Sequence, residues 1–218
     1  MDDAPQDEAI GRAGEPRARL LRGIARGALA GLVLGGLTGL VSLWLGRCRP
    51  RPPLPDIAAV PVFQLTDQNG ESFGSAQLSG HPWIAGFVFS RCTAACPLIT
   101  MRMASLQRRL RDRSIRLVSF TVDPVHDSPA VLRAYGERAG ADFSRWSFLT
   151  GPPERIRTLV TRGFLLTMAS GDVDAGEGAV VHDERLVLVD QRGHIRGYYG
   201  DDADSTARLA RDARRLAN

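Results

Sequence analysis

The sequence predicts an α/β domain, a central mixed sheet flanked by helices, preceded by one transmembrane helix. Three observations predict it. Strand-like and helix-like apolar patterns alternate from about residue 60 to the end of the chain. One strand-like run, Trp83–Phe89, is continuously apolar, as expected of a strand buried on both faces, and Ile115–Val122 reads as another buried strand. Residues 27–46 form an uncharged run, GALAGLVLGGLTGLVSLWLG, which as a helix spans about 30 Å, the thickness of a bilayer's hydrocarbon core.

The charge distribution agrees with that division. The chain has 218 residues, 44% apolar, and a net charge of +4. All of the basic side chains are Arg. Residues 1–51 hold eight Arg against five acids, and the rest holds 20 Arg against 19 acids. The excess thus belongs to the N-terminal segment. With no basic face or stripe in the remainder, nucleic acid is excluded as a partner class.

Trp44 near the end of the apolar run suits a membrane interface, and Gly31, Gly35 and Gly39 give a spacing suited to helix packing. A cleavable signal peptide competes with this reading. The run is longer than a signal core, however, and Arg47-Cys48-Arg49 follow it instead of a small-residue cleavage site. Lipidation of Cys48 fits poorly with the Arg before it. Arg12, Arg17, Arg19, Arg22 and Arg26 precede the span, against Arg47, Arg49 and Arg51 after it, which favours an inside N-terminus. The expected organisation is a cytoplasmic segment (1–26), a transmembrane anchor (27–46), a Pro/Arg-rich linker (47–58) and a folded domain (59–218). In a bacterial cell the anchor lies in the inner membrane and the domain faces the periplasm, an oxidising compartment.

Within the domain, Val62–Thr66 reads as a strand. Asp67-Gln68-Asn69-Gly70 reads as a hairpin turn into a short strand near Phe73. Pro97 opens a helix whose apolar positions Ile99, Met103, Leu106 and Leu110 follow helical spacing. Ser128-Pro129 supplies an N-cap and a first-turn proline for a second helix, to about Ala139. A strand at Trp146–Leu149 and a helix at 152–162 come next, then a polar excursion over 166–180. Strands at Leu186–Val189 and His194–Tyr199 flank a Gln191-Arg192-Gly193 turn, and a helix from Ala203 to Leu216 closes the chain. This order, with its N-terminal hairpin, is thioredoxin-like. Other α/β domains share it, so the chemistry-bearing residues must decide.

Cys92 and Cys96 lie between a buried strand and the helix at Pro97. Cys96 is expected at or beside the N-cap, where free N–H groups and the helix dipole stabilise a thiolate, and Arg91 adds a positive charge. Three residues separate the cysteines, against two in redox thioredoxins. A purely structural disulfide between them would close a tiny loop and constrain the unfolded chain little. His182 precedes the strand at Leu186, where a thioredoxin fold faces the cysteine loop and usually carries a cis-proline. No proline follows Pro153. Two thiolates and an imidazole form a soft, three-coordinate set suited to Cu(I), with Cu(II) tolerated; zinc usually takes a fourth ligand. Asp123 has two readings, supporting the site or capping a turn. His126, His81 and His194 read as turn residues, Met103 as core and Met101 as a weak thioether candidate.

Several blocks now line up in order: Phe89-Ser90-x-Cys92-x-x-x-Cys96-Pro97, Thr121-Val122-Asp123-Pro124 with Asp127-Ser128-Pro129, Trp146-x-Phe148-Leu149-Thr150-Gly151, and His182 before Leu186-Val187-Leu188-Val189-Asp190. In these the chain resembles the Sco/SenC family, copper chaperones that help assemble the dinuclear copper centre of cytochrome c oxidase subunit II. The resemblance covers about Pro61 to Tyr199. It implies a thioredoxin-like fold and one copper per domain, held by Cys92, Cys96 and His182. The implied acceptor is oxidase subunit II or a similar cuproprotein, with other periplasmic copper carriers as further partners. Ala94 and Ala95 stand where the family often has an Asp, and Val181 and Asp183 flank His182 where it often has Asp and Ser or Thr. The function expected is delivery of copper by ligand exchange rather than turnover catalysis. The alternatives are a thiol–disulfide oxidoreductase using the Cys92/Cys96 pair, or a redox or copper sensor.

Overall fold

The computed structural model describes residues 35–36, 52–91, 95–110, 114–169, 180–181 and 184–217. The chain divides into two units, Met1–Pro53 and Leu54–Asn218. In the first, Gly35 and Gly36 are helical, and the rest of the expected anchor, 27–46, lies outside the described residues. Among the described residues no helix is long and apolar enough to cross a membrane.

The second unit begins with β1 (Ala58–Ala59), the hairpin β2 (Gln64–Asp67) and β3 (Ser72–Gly74), and a single helical turn α1 (Ser75–Leu78). It continues with β4 (Trp83–Val88), α2 (Ala95–Arg109), β5 (Arg116–Thr121), α3 (Pro129–Arg138) and β6 (Trp146–Thr150). After α4 (Pro153–Thr158) come β7 (Met168–Ala169), β8 (Val180–Val181), β9 (Leu186–Val189), β10 (His194–Tyr199) and α5 (Ala203–Ala217). Eight strands form one sheet in the order β1-β10-β9-β4-β5-β6-β2-β3, and β7 and β8 form a second, two-stranded sheet among the described residues. β4, β5 and β6 run parallel while β9 and β10 return antiparallel, which gives the mixed sheet expected of the sequence.

β4 is buried along its whole length, so its continuous apolar sequence has a direct cause. Side chains of alternating direction fill two cores. On one face Met103, Leu106 and Ile99 of α2 meet Trp146, Phe148, Leu186 and Leu209. On the other, Phe120 sits among Phe63, Trp83, Phe87 and Phe164, with ring centroids 5.3–6.3 Å away. The turns follow the expected chemistry. The Asp67 carboxylate accepts from the N–H groups of Asn69 (2.8 Å) and Glu71 (2.9 Å), and Gly70 takes φ 83°, which favours glycine. Ser128 caps α3 by accepting from the Val131 N–H.

Three expectations are revised. The helix predicted over 152–162 is split: after α4, Leu159–Gly163 winds as a π turn, with the Phe164 N–H donating to the Leu159 carbonyl at 2.8 Å. The wider turn accompanies burial of Phe164 in the aromatic core. The linker predicted over 47–58 ends earlier, because Ile57 N–H donates to Ile195 O (3.0 Å) and Arg196 reaches Leu54 O (2.7 Å). Residues from Leu54 thus belong to the folded unit. Finally, α2 starts by Ala95 and not at Pro97, so Cys96 lies inside its first turn instead of at or beside its N-cap. Pro97 is tolerated there because first-turn N–H groups have no intrahelical acceptor to lose.

Candidate metal centre

β4 ends at Val88 and leads into the cysteine segment, and α2 begins on its far side. β9 pairs antiparallel with β4, with Ile84 opposite Leu188 and Ala85 opposite Val187. The amino end of β9, Leu186, shortly after His182 in sequence, therefore lies at the same end of the sheet as the carboxyl end of β4. The topology brings the chain neighbours of Cys92, Cys96 and His182 to one sheet end. Cys92 and His182 themselves lie outside the described residues, as does Cys48. Among the described residues no group of three or more His, Cys, Asp or Glu side chains is arranged to hold a metal.

Cys96 is 4% exposed and packs in the core that includes Val88, Ile99, Met103 and Leu186. A thiolate in the first turn of a helix is stabilised by the dipole and the unpaired N–H groups. Ser90 and Arg91, which precede Cys92 in sequence, are both anchored. Asp127 is fully buried, and its carboxylate accepts from the Ser90 N–H (3.1 Å), the Ser90 hydroxyl and the Thr121 hydroxyl (2.5 Å). Arg91, adjacent to Cys92 in sequence, donates to Asp123 Oδ2 through Nε (3.1 Å) and Nη2 (2.8 Å). His126 places Nδ1 2.8 Å from Asp123 Oδ1 and 2.8 Å from Arg91 Nη2. That nitrogen serves one partner at a time, donating to Asp123 when protonated and accepting from Arg91 when bare.

Of the two roles that the sequence left open for Asp123, the structure shows the turn, together with an ion pair to Arg91. Its main-chain carbonyl accepts from the His126 (3.1 Å) and Asp127 (3.0 Å) N–H groups, closing the turn, while its carboxylate pairs with Arg91. Burial raises the Asp123 pKa, but the hydrogen bond from His126 and then the bonds and charge of Arg91 outweigh it, leaving the carboxyl below its ordinary value. A depressed folded pKa contributes stability that is present above the unfolded pKa and lost as pH falls through the folded one. Below about pH 4, the ordinary aspartate range, the wild-type chain is therefore expected to lose stability more steeply than Asp123→Asn. Urea unfolding from pH 5 to pH 2 measures this, and parallel curves would refute it.

Other candidates are also located. Met103 is fully buried and Met101 is 65% exposed, so the two do not share a site. His81 Nδ1 lies 3.0 Å from Ser114 O, whereas His194, read as a turn residue, instead opens β10 and places Nδ1 2.8 Å from Asp56 Oδ1. The sequence reading assigned no role to Asp127 or Arg102. A signal existed for Arg102: it sits three residues after Ile99 and four before Leu106, on the apolar stripe of α2, where a charge implies a buried partner.

The family model described as SCO1/SenC matches residues 53–218. Over 170 residues, covering 75% of this chain and 86% of the relative, the chain is 32% identical to the SCO1 protein homolog of Bacillus subtilis. It is 31% identical over 148 residues, 66% of this chain and 71% of the relative, to a Stutzerimonas stutzeri protein named for copper binding. A solved structure of BsSco, a member of the Sco family of cytochrome c oxidase assembly proteins in which a disulfide switch is identified, superposes with TM-score 0.63. It is 27% identical, with 74% of this chain and 98% of that one covered.

Proposed function

The chain belongs to the SCO1/SenC family, and from that premise we propose that it is a membrane-anchored copper chaperone. In this reading Cys92, Cys96 and His182 hold one copper ion as cargo, for delivery to cytochrome c oxidase subunit II or a similar cuproprotein. The observation that carries it is the convergence of the neighbours of all three residues at one sheet end, with Cys96 in the first turn of α2. The donor set fits the cargo, since two thiolates and an imidazole are soft to borderline ligands suited to Cu(I).

Delivery proceeds by ligand exchange. An acceptor thiolate bonds to copper as one donor sulfur leaves, and a second exchange releases the other sulfur together with the His182 imidazole. Copper keeps its oxidation state throughout, and the protons lost by acceptor thiols balance those regained by Cys92 and Cys96. Residues 27–46 serve as the anchor, with 1–26 cytoplasmic and the folded unit in the periplasm. The Pro-rich residues before Leu54 space that unit from the membrane.

The cysteine pair, and the disulfide switch identified in the BsSco relative, favour a second reading. In it Cys92 and Cys96 reduce an acceptor disulfide and become a disulfide themselves. His182→Ala separates the two, because only copper binding needs the imidazole. The chaperone reading predicts that this variant keeps thiol–disulfide exchange at the wild-type rate, loses tight copper binding and no longer metallates a peptide bearing the acceptor's copper motif. Unchanged copper transfer by the variant would remove His182 from the site. Failure of the loaded wild-type chain to metallate the peptide would leave the oxidoreductase.

A further inference from the structure

Arg102 lies on α2 six residues past Cys96, with its guanidinium turned inward. Its Nη1 donates to the Glu184 carbonyl (3.1 Å), its Nη2 to the carbonyls of Tyr199 (3.2 Å) and Gly200, and its Nε to the Thr206 hydroxyl (3.1 Å). One side chain thus ties the cysteine helix to the segment before β9, to the end of β10 and to the first turns of α5. Glu184 stands two residues after His182. Its neighbour Arg185 is held as well, with the guanidinium 4.7 Å over the Tyr198 ring. Burial disfavours the Arg102 charge, and the nearby carboxylates of Asp201, Asp202 and Glu184 act against that effect.

Arg102 is half-buried, and a guanidinium fork is suited to bidentate pairing with a carboxylate. Here all four acceptors are main-chain carbonyls or a hydroxyl, so the fork fixes the course of the backbone. Separating α2 from Glu184 would change the spacing between the helix that carries Cys96 and the chain that carries His182. We propose that Arg102 is the positioning residue of the metal centre: it sets the distance between the cysteine helix and the histidine segment. This rests on the reading of His182 as a ligand. Arg102 touches no copper; it acts through Glu184.

The test compares full-length wild-type chain, Arg102→Met, Arg102→Lys and His182→Ala. Hydrogen exchange is followed in the metal-free state, and Cu(II) electron paramagnetic resonance and copper dissociation in the loaded one. In Arg102→Met, exchange over 180–186 is expected to be about tenfold faster while β5 and α3 are unchanged. Copper affinity is expected to fall about 10–100-fold, as for other groups that orient a ligand, with the nitrogen splitting moving toward that of His182→Ala. Arg102→Lys keeps the charge but not the planar fork, and recovers only part of both readouts. Wild-type spectrum and dissociation in Arg102→Met, even with a lowered melting temperature, would reduce Arg102 to an ordinary structural tie and overturn the proposal. If Arg102→Met does not fold, Arg102→Lys decides by the same readouts. A His182→Ala spectrum identical to wild type overturns the ligand reading and the proposal with it, and is recognised by that identity alone.

Discussion

Phe120→Ala is expected to lower the stability of the folded unit by about 3–5 kcal/mol, the range for removing a large buried aromatic from a packed core. Phe120 is fully buried on β5, with parallel neighbours on both sides. Its ring meets Phe63, Phe87 and Phe164 at centroid distances of 5.6, 5.7 and 5.3 Å. Elements on both sides of the β4–β5 pair would lose contacts together, and the centre of a sheet has little freedom to collapse into the gap. Equilibrium denaturant unfolding checks this; a cost below about 1 kcal/mol would mean that the cluster is less tightly packed than its ring distances imply.

Cys96→Ser is expected to abolish tight copper binding while leaving a folded chain. The side chain is 4% exposed among Val88, Ile99 and Met103, and serine is of nearly the same size. The cost to stability is that of placing a hydroxyl in an apolar site, about 1–3 kcal/mol. The loss of copper has a different cause: a neutral hydroxyl is a hard, weak donor in place of a soft thiolate at the start of α2. Thermal unfolding and copper retention after gel filtration separate the two effects. A variant that unfolds with a cooperative transition and still retains copper would remove Cys96 from the ligand set.

Much of the sheet is legible in the sequence because burial on two faces leaves an unbroken apolar run. Leu186–Val189 and His194–Tyr199 match the predicted strands residue for residue. The turn between them is legible for a local reason, since Gly193 takes φ 84°. β1 and α1 are not legible, because two- and four-residue elements carry no period to detect, and β1 exists only through its pairing with β10. The π turn after α4 is hidden for a related reason: its bonds shift by one residue while the apolar pattern of Ile156, Leu159, Val160 and Phe164 continues.

At the site, cysteine count and spacing make Cys92 and Cys96 stand out, and the missing proline makes His182 stand out. Their supports are harder to read. Asp127 appears in the sequence as one more acid near a helix start, and only the fold brings Ser90 and Thr121 to its carboxylate. Arg102 is one of many arginines, distinguished only by its place on the apolar stripe of α2.

The central claim is that this chain holds copper with the Cys92/Cys96/His182 set. The most direct test is anaerobic titration of the reduced, full-length chain with Cu(I) against a competing chelator. The predicted result is one tightly held copper per chain, lost when both Cys92 and Cys96 are replaced by serine. No retained copper in the wild-type chain, or the same stoichiometry in the doubly substituted one, would contradict the account.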